Sequence, residues 1–130
     1  MARVLIDTSA VYALLDRDDR NHAGAKARLK KLKRSRAEPI LTNFIVAETH
    51  ALLLAHLGAA TARSWLLSNV WPIERVTDAD EAKAREIIRQ YTDKTFSYTD
   101  AVSFAVMDRT GIERALAFDR HFEQYGIALV

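Results

Sequence analysis

The chain has 130 residues, 49% of them apolar and 28% charged, with four Gly and two Pro. That is one domain's length, able to bury roughly two-thirds of its unfolded surface, so intrinsic disorder and a multidomain machine are both excluded. With no cysteine, disulfides, thiolate catalysis and cysteine-bearing zinc or iron–sulfur sites are excluded too, and any metal must sit on oxygen or imidazole. The start, Met-Ala-Arg-Val-Leu-Ile-Asp, meets an acid at position 7 and reads as no signal peptide. No apolar run reaches about 18 residues, so no membrane span is expected and a cytoplasmic location fits.

In chain order, residues 3–6 (Arg-Val-Leu-Ile) read as a buried strand ending at Asp7, followed by a helix from Ser9 to Leu15. Residues 22–36 carry Ala25, Leu29 and Leu32 at near-helical spacing. They also hold an unbroken positive run: Lys26, Arg28, Lys30, Lys31, Lys33, Arg34 and Arg36. The whole chain is only +2, so these seven charges leave a body of 12 basic and 17 acidic residues, net −5. Such a helix is either a solvated face or a surface that contacts phosphates without reading sequence.

A second strand, Pro39–Thr42, leads into a helix over 43–57 that is apolar on nearly every side and stops at Gly58. A helix over 59–70 follows, with Ala62, Trp65, Leu66 and Val70 expected inward, then a strand over 73–76 and a helix from Thr77 or Asp78 to about Tyr91. Ser97 or Thr99 opens a helix that Gly111 stops. A fourth strand, Ala115–Phe118, ends at Asp119, and 127–130 is a short fifth. Strands separated by helices require right-handed crossovers, hence an α/β class: a mostly parallel sheet of four or five strands with helices on both faces.

In such sheets ligands bind beyond the carboxyl ends of the strands. Asp7 and Asp119 end strands there, Asp100 lies in the first turn of the helix leading to the fourth strand, and Glu48 sits one and a half turns into the apolar 43–57 helix, where a buried charge would need a partner. Each acid also has a plain alternative. Asp7 and Asp119 can cap the helices after them, Ser97-Tyr-Thr-Asp100 resembles a capping box, and Glu48 can face solvent. Four acids assignable to one sheet edge favour chemistry. Crowded carboxylates repel one another unless a cation joins them, and oxygen donors select Mg2+ or Mn2+. Such an ion acidifies a water and polarises a phosphate, which is phosphodiester hydrolysis.

Four segments, Leu5-Ile-Asp7-Thr-Ser9, Thr42-Asn-Phe-Ile-Val-Ala-Glu48-Thr, Phe96-Ser97-Tyr-Thr-Asp100-Ala-Val-Ser-Phe-Ala-Val-Met and Ala117-Phe-Asp119-Arg-His-Phe122, stand in this order. By them the chain resembles a PIN-domain ribonuclease of the VapC toxin type, over essentially all of 1–130. The resemblance implies a metal-dependent endoribonuclease whose acids are Asp7, Glu48, Asp100 and Asp119. Asp7 and Asp100 would be the direct Mg2+ or Mn2+ ligands, and Ser9, Ser97 and Thr99 supporting hydroxyls. It also implies a 5′-phosphate and a 3′-hydroxyl as products, an RNA substrate, a small antitoxin partner and a homodimer.

Asn43 is expected to cap a helix or touch phosphate, Asp93 to be a loop residue, and Arg120 and His121 to be peripheral with a possible phosphate contact. His50 and His56, six apart, lack the paired spacing of a zinc site, and His22 begins the basic helix with no catalytic signal. A haloacid-dehalogenase fold would need an acid where Ser9 stands; a receiver domain lacks its paired acid and its lysine. No Gly-rich phosphate loop is present. The rival that survives is a catalytically silent PIN-like module that binds RNA through the basic helix.

Overall fold

The computed structural model describes residues 2–130. Five strands, β1 (Arg3–Ile6), β2 (Glu38–Thr42), β3 (Ile73–Glu74), β4 (Arg114–Leu116) and β5 (Ala128–Leu129), form one sheet in the order β3-β2-β1-β4-β5. Every pairing is parallel. Seven helices connect them: α1 (Thr8–Leu15), α2 (His22–Arg34), α3 (Asn43–Leu57), α4 (Ala59–Ser68), α5 (Asp78–Gln90), α6 (Tyr98–Thr110) and α7 (His121–Tyr125).

The strand order follows from right-handed crossovers. The chain steps outward from β1 to β2 to β3, then returns through α5 and α6 to place β4 on the other side of β1. Reversing the winding direction puts α5 and α6 on the opposite face from the earlier helices. It also makes the β1–β4 boundary the topological switch point, where a crevice opens at the carboxyl edge. Val4 pairs with Arg114 and Ile6 with Leu116, and the Asp7 amide extends the ladder by donating to the Leu116 carbonyl at 3.0 Å.

The core lies between the sheet and its helices. Val4, Leu5, Ile6, Leu41, Ile45, Phe104, Leu116 and Phe122 are sealed from solvent. Uninterrupted Val-Leu-Ile in β1 is what a strand covered on both faces requires. α6 is buried on every side from Asp100 to Met107, and its Phe104 ring lies parallel to Tyr125 at 4.4 Å and edge-on to Phe122 at 5.0 Å. These rings clamp α7 onto α6. Arg109, near the end of α6, donates from Nε and Nη2 to Asp80 of α5 at 2.9 and 3.0 Å, so the buried Asp80 carboxylate is paired.

Four sequence expectations change. The strand expected to reach Val76 stops at Glu74, because Asn43 Oδ1 accepts the Val76 N–H at 2.9 Å and Thr77 then starts a capping box. The fourth strand spans Arg114–Leu116 rather than 115–118, so Asp119 stands in the turn beyond it. The fifth shrinks to Ala128–Leu129. The helix expected over 59–70 ends at Ser68; in it Ala62 is buried and Trp65 half-buried, whereas Leu66 is 41% exposed and Val70, beyond its end, 88%. α4 packs on α3 instead of on the sheet, so it has one narrow inward stripe. No helix among the described residues is long and apolar enough to cross a membrane.

Candidate metal centre

Three carboxylates meet at the switch point, and each also holds the start of a helix. Asp7 is the N-cap of α1: its Oδ2 accepts from the Ser9 amide at 3.2 Å and the Ser9 hydroxyl at 2.7 Å. Asp100 is the third residue of α6 and closes a capping box in which Ser97 Oγ accepts the Asp100 N–H and Asp100 Oδ2 accepts the Ser97 N–H, both at 3.0 Å. Asp119 Oδ1 accepts the His121 N–H at 3.1 Å. Capping and site readings are therefore compatible: one oxygen of each carboxylate holds a helix start, and the other accepts no hydrogen bond from the described residues. None of these second oxygens is sealed from solvent.

Asp7 is 3% and Asp100 7% exposed. Burial, together with the negative charge of Asp119 and, less strongly, of Asp100, pushes the Asp7 carboxyl up from 3.8 to about 8, against the pull of the Ser9 hydrogen bonds. Among the described residues no Lys or Arg forms an ion pair with Asp7, Asp100 or Asp119. This is excess negative charge held together by the fold. Donor atoms of Asp100, Asp119 and His121 lie within 4.8 Å of one another. Asp7 stands outside that group but senses Asp119 and Asp100 through their charge; spare carboxylate oxygens of this kind fit a hard divalent cation that keeps some of its water.

The crevice, about 590 Å3, is lined by Asp7, Thr8, Ser9, Ser97, Asp100, Asp119 and His121, with Glu48, Ala51, Leu52 and Ala55 of α3 as its opposite wall. Glu48 is exposed, which corrects the expectation of a buried charge needing a partner: the helix turns this position out of the core, so water solvates it. Ser9 links two elements, since its Oγ also accepts the Phe118 N–H at 3.0 Å. Thr99 is half-buried and does not line the crevice, unlike Ser97. Asn43 neither caps nor reaches the crevice; Thr42 is the N-cap of α3, and Asn43 ties that helix to the segment after β3.

The basic residues are spread along α2. Arg28 stacks over the Phe118 ring at 4.7 Å, one residue before Asp119. Lys26 is exposed on that half of the helix, and Lys30 is exposed just past its midpoint. Arg36 lies two residues before β2 begins, and the start of a parallel strand is the edge opposite the crevice. Lys26 and Arg28 thus lie toward the acidic edge, and Lys33, Arg34 and Arg36 toward the far one, with Lys30 and Lys31 between.

His121 is more central than its sequence context suggests. Its ring Nδ1 is 2.6 Å from Asp100 Oδ2 and its Nε2 is 3.3 Å from Thr95 Oγ1. The only signal in the sequence is its place two residues after Asp119. Asp93 pairs with Lys94 at 2.8 Å, as a loop residue does. His22 Nδ1 is 2.7 Å from the Ala13 carbonyl and His56 meets Tyr12 edge-on, both away from the crevice. His50 and the exposed Arg120 do not line it either.

The switch-point fold with an acidic crevice defines a class: an α/β domain whose clustered side chains could hold a metal ion. Residues 4–128 match the PIN domain family, and the chain belongs to it. It is 35% identical over 131 residues to the 23S rRNA-specific endonuclease VapC20 of Mycobacterium tuberculosis, in strains CDC 1551 / Oshkosh and ATCC 25618 / H37Rv, covering 98% of this chain and 97% of that protein. The crystal structure of M. tuberculosis VapC20, described as a sarcin-ricin loop cleaving toxin, matches with a TM-score of 0.85 at 32% identity over 96% of each chain.

Proposed function

We propose that the protein is a metal-dependent endoribonuclease, the toxin of a toxin–antitoxin pair, with large-subunit ribosomal RNA as the first substrate to test. The observation that carries the chemistry is the trio of Asp7, Asp100 and Asp119, each with one oxygen engaged by the fold and one spare. Kinship with a 23S rRNA-specific endonuclease along nearly the whole chain supports the substrate class.

Asp7 and Asp100, with Asp119 beside them, would hold Mg2+ or Mn2+. Bound there, the ion would offset the carboxylate charge, lower the pKa of a water and polarise a phosphoryl group. Ser9 holds the Asp7 carboxylate and ties it to the β4 turn, and the Ser97 N–H holds the Asp100 carboxylate. Glu48, solvated on the opposite wall, would orient the attacking water or take its proton. Water oxygen bonds to phosphorus as the bond to the 3′ oxygen breaks, leaving a 5′-phosphate and a 3′-hydroxyl. Thr99 supports this only indirectly, through the first turn of α6.

Partner surfaces follow the same division. The exposed Val70 and the half-buried Trp65 and Trp71 line a cavity of about 260 Å3 between α1 and the end of α4, and Leu67 and Ile73 are exposed as well. An apolar surface of this kind supports a protein partner, a cognate antitoxin or a second copy of the chain. Cleavage would then occur in the cytoplasm, where ribosomal RNA is found.

The deciding experiment incubates purified protein, freed of any antitoxin, with total RNA in Mg2+, Mn2+ or EDTA beside Asp100→Asn, and sequences the new 5′ ends. Discrete, metal-dependent cuts absent from a folded Asp100→Asn protein are expected. Tight RNA retention without cuts in any metal would establish a silent RNA-binding module instead.

A second prediction concerns α2. Neutralising Lys26 and Lys30 to Gln is expected to weaken RNA binding and to reduce the slope of log affinity against log salt by about one for each phosphate that is no longer neutralised. The same change at Arg34 and Arg36, toward the opposite edge, is expected to do less. Binding titrations at several salt concentrations read the difference; equal slopes for all variants return the helix to a solvated face.

A further inference from the structure

One residue touches two of the three carboxylates. The His121 backbone N–H donates to Asp119 Oδ1 at 3.1 Å, while its ring Nδ1 lies 2.6 Å from Asp100 Oδ2. Asp100 and Asp119 come from different elements, the first turn of α6 and the turn after β4. Nothing else among the described hydrogen bonds joins them. The ring is held from three sides: Asp100 at Nδ1, the Thr95 hydroxyl at Nε2 and the Phe96 ring edge-on at 5.7 Å. The Nδ1–H tautomer satisfies both polar contacts, donating to the carboxylate and accepting from Thr95. Both ring nitrogens are therefore engaged with protein, which leaves neither free as a ligand.

We infer that His121 is a positioning residue: it fixes Asp100 and Asp119 relative to each other so that each turns its other oxygen to the crevice, and it acts through Nδ1. The inference rests on the cation reading given above. Asp100 Oδ2 already accepts the Ser97 N–H. With Nδ1–H as a second donor, that oxygen is saturated and the carboxylate cannot rotate to present it. Outer partners of this sort set ligand orientation and tune affinity without touching the ion. The aromatic packing of Phe104 on Phe122 and Tyr125 holds α7 in place whatever stands at 121, so the effect of the ring is separable from folding.

The test uses side chains that mimic one ring nitrogen at a time. His121→Asn places an N–H donor near the position of Nδ1, and His121→Gln places one near Nε2. Metal-free protein is titrated with Mn2+, free ion being read by electron paramagnetic resonance, and RNA cleavage is measured alongside. His121→Ala is expected to weaken Mn2+ binding about 10–100-fold and to lower kcat while KM for RNA stays put. His121→Asn should return to within a few-fold of the natural protein, His121→Gln should behave like His121→Ala, and Thr95→Ala should have little effect. If His121→Gln restores binding and His121→Asn does not, Nε2 is the working atom and the inference is wrong. Mn2+ affinity equal in every variant also overturns it. Wild-type protein that binds no Mn2+ removes the cation reading itself, and the inference with it, which is a separate outcome from wild-type binding that ignores position 121.

Discussion

Replacing Asp7 by Asn is expected to raise the melting temperature of the metal-free protein at pH 7.5 and to abolish RNA cleavage. Burial and the neighbouring Asp119 and Asp100 raise the folded-state pKa of Asp7 to about 8, from 3.8. An acid with a raised pKa holds a proton in the folded state that the unfolded chain has already lost. Stability therefore declines as pH rises from about 4 to about 8, and the penalty is fully present above that window. Asn removes the charge and retains an oxygen to accept the Ser9 N–H and hydroxyl, so the α1 cap survives. The gain is a few kcal/mol at most, since the coupled carboxylates share the strain, corresponding to roughly 5–10 °C in a domain of this size. Calorimetry in EDTA should show the two proteins converging as pH falls toward 4. An unchanged or lower melting temperature at pH 7.5 would mean that the Asp7 charge is already compensated. Cleavage should fall by about 10³-fold or more, the scale of several kcal/mol of cation-derived stabilisation.

Cation affinity is expected to climb about tenfold per pH unit between pH 6 and 8 and to level off above. Below about pH 8 the Asp7 proton must leave before the carboxylate can serve the ion, so binding is a proton-for-cation exchange, worth 1.36 kcal/mol per unit. The direction is opposite to that of the metal-free stability: higher pH weakens the empty fold and strengthens its complex. Isothermal titration with Mg2+ or Mn2+ in buffers of different ionisation enthalpy should detect about one proton released at pH 7 and none well above 8. In Asp7→Asn the pH dependence should vanish along with most of the affinity. A pH-independent Kd in the natural protein would mean that Asp7 is ionised without the ion and that its neighbours carry less charge than the geometry implies.

Some of the site is legible in the sequence because capping is local. Ser97-Tyr-Thr-Asp100 is a capping box in sequence and in space, and Asp7 before Ser9 caps as its position suggests. The capping and chemical explanations of each aspartate describe different oxygens of the same carboxylate. Glu48 departs from expectation because the apolar residues around it suggest a fully buried helix, whereas α3 leaves Ala47, Glu48, Ala51, Leu54 and Ala55 exposed. Leu66 and Val70 depart for a similar reason: periodicity shows that a helix has an apolar stripe, not that a sheet lies beneath it. The shared positive sign of the basic residues does not show that α2 runs from one edge of the sheet to the other.

The sequence by itself determined the α/β class, the parallel sheet and the order of its elements. Strand and helix periods, Pro, Gly and caps act within a few residues, and crossover handedness then leaves few topologies. It also determined the chemistry available, because carboxylates without cysteine select a hard cation. Tertiary structure alone decided which acids come near one another, that the buried Asp7 feels the charge of Asp119, and that His121 joins Asp100 to Asp119. These meetings, Asp7 with Asp119 above all, bring together residues from opposite ends of the chain, and they form when β4 enters beside β1 and the aromatic rings of α6 and α7 close. Distance in space is set by packing the whole chain, and no local pattern encodes it.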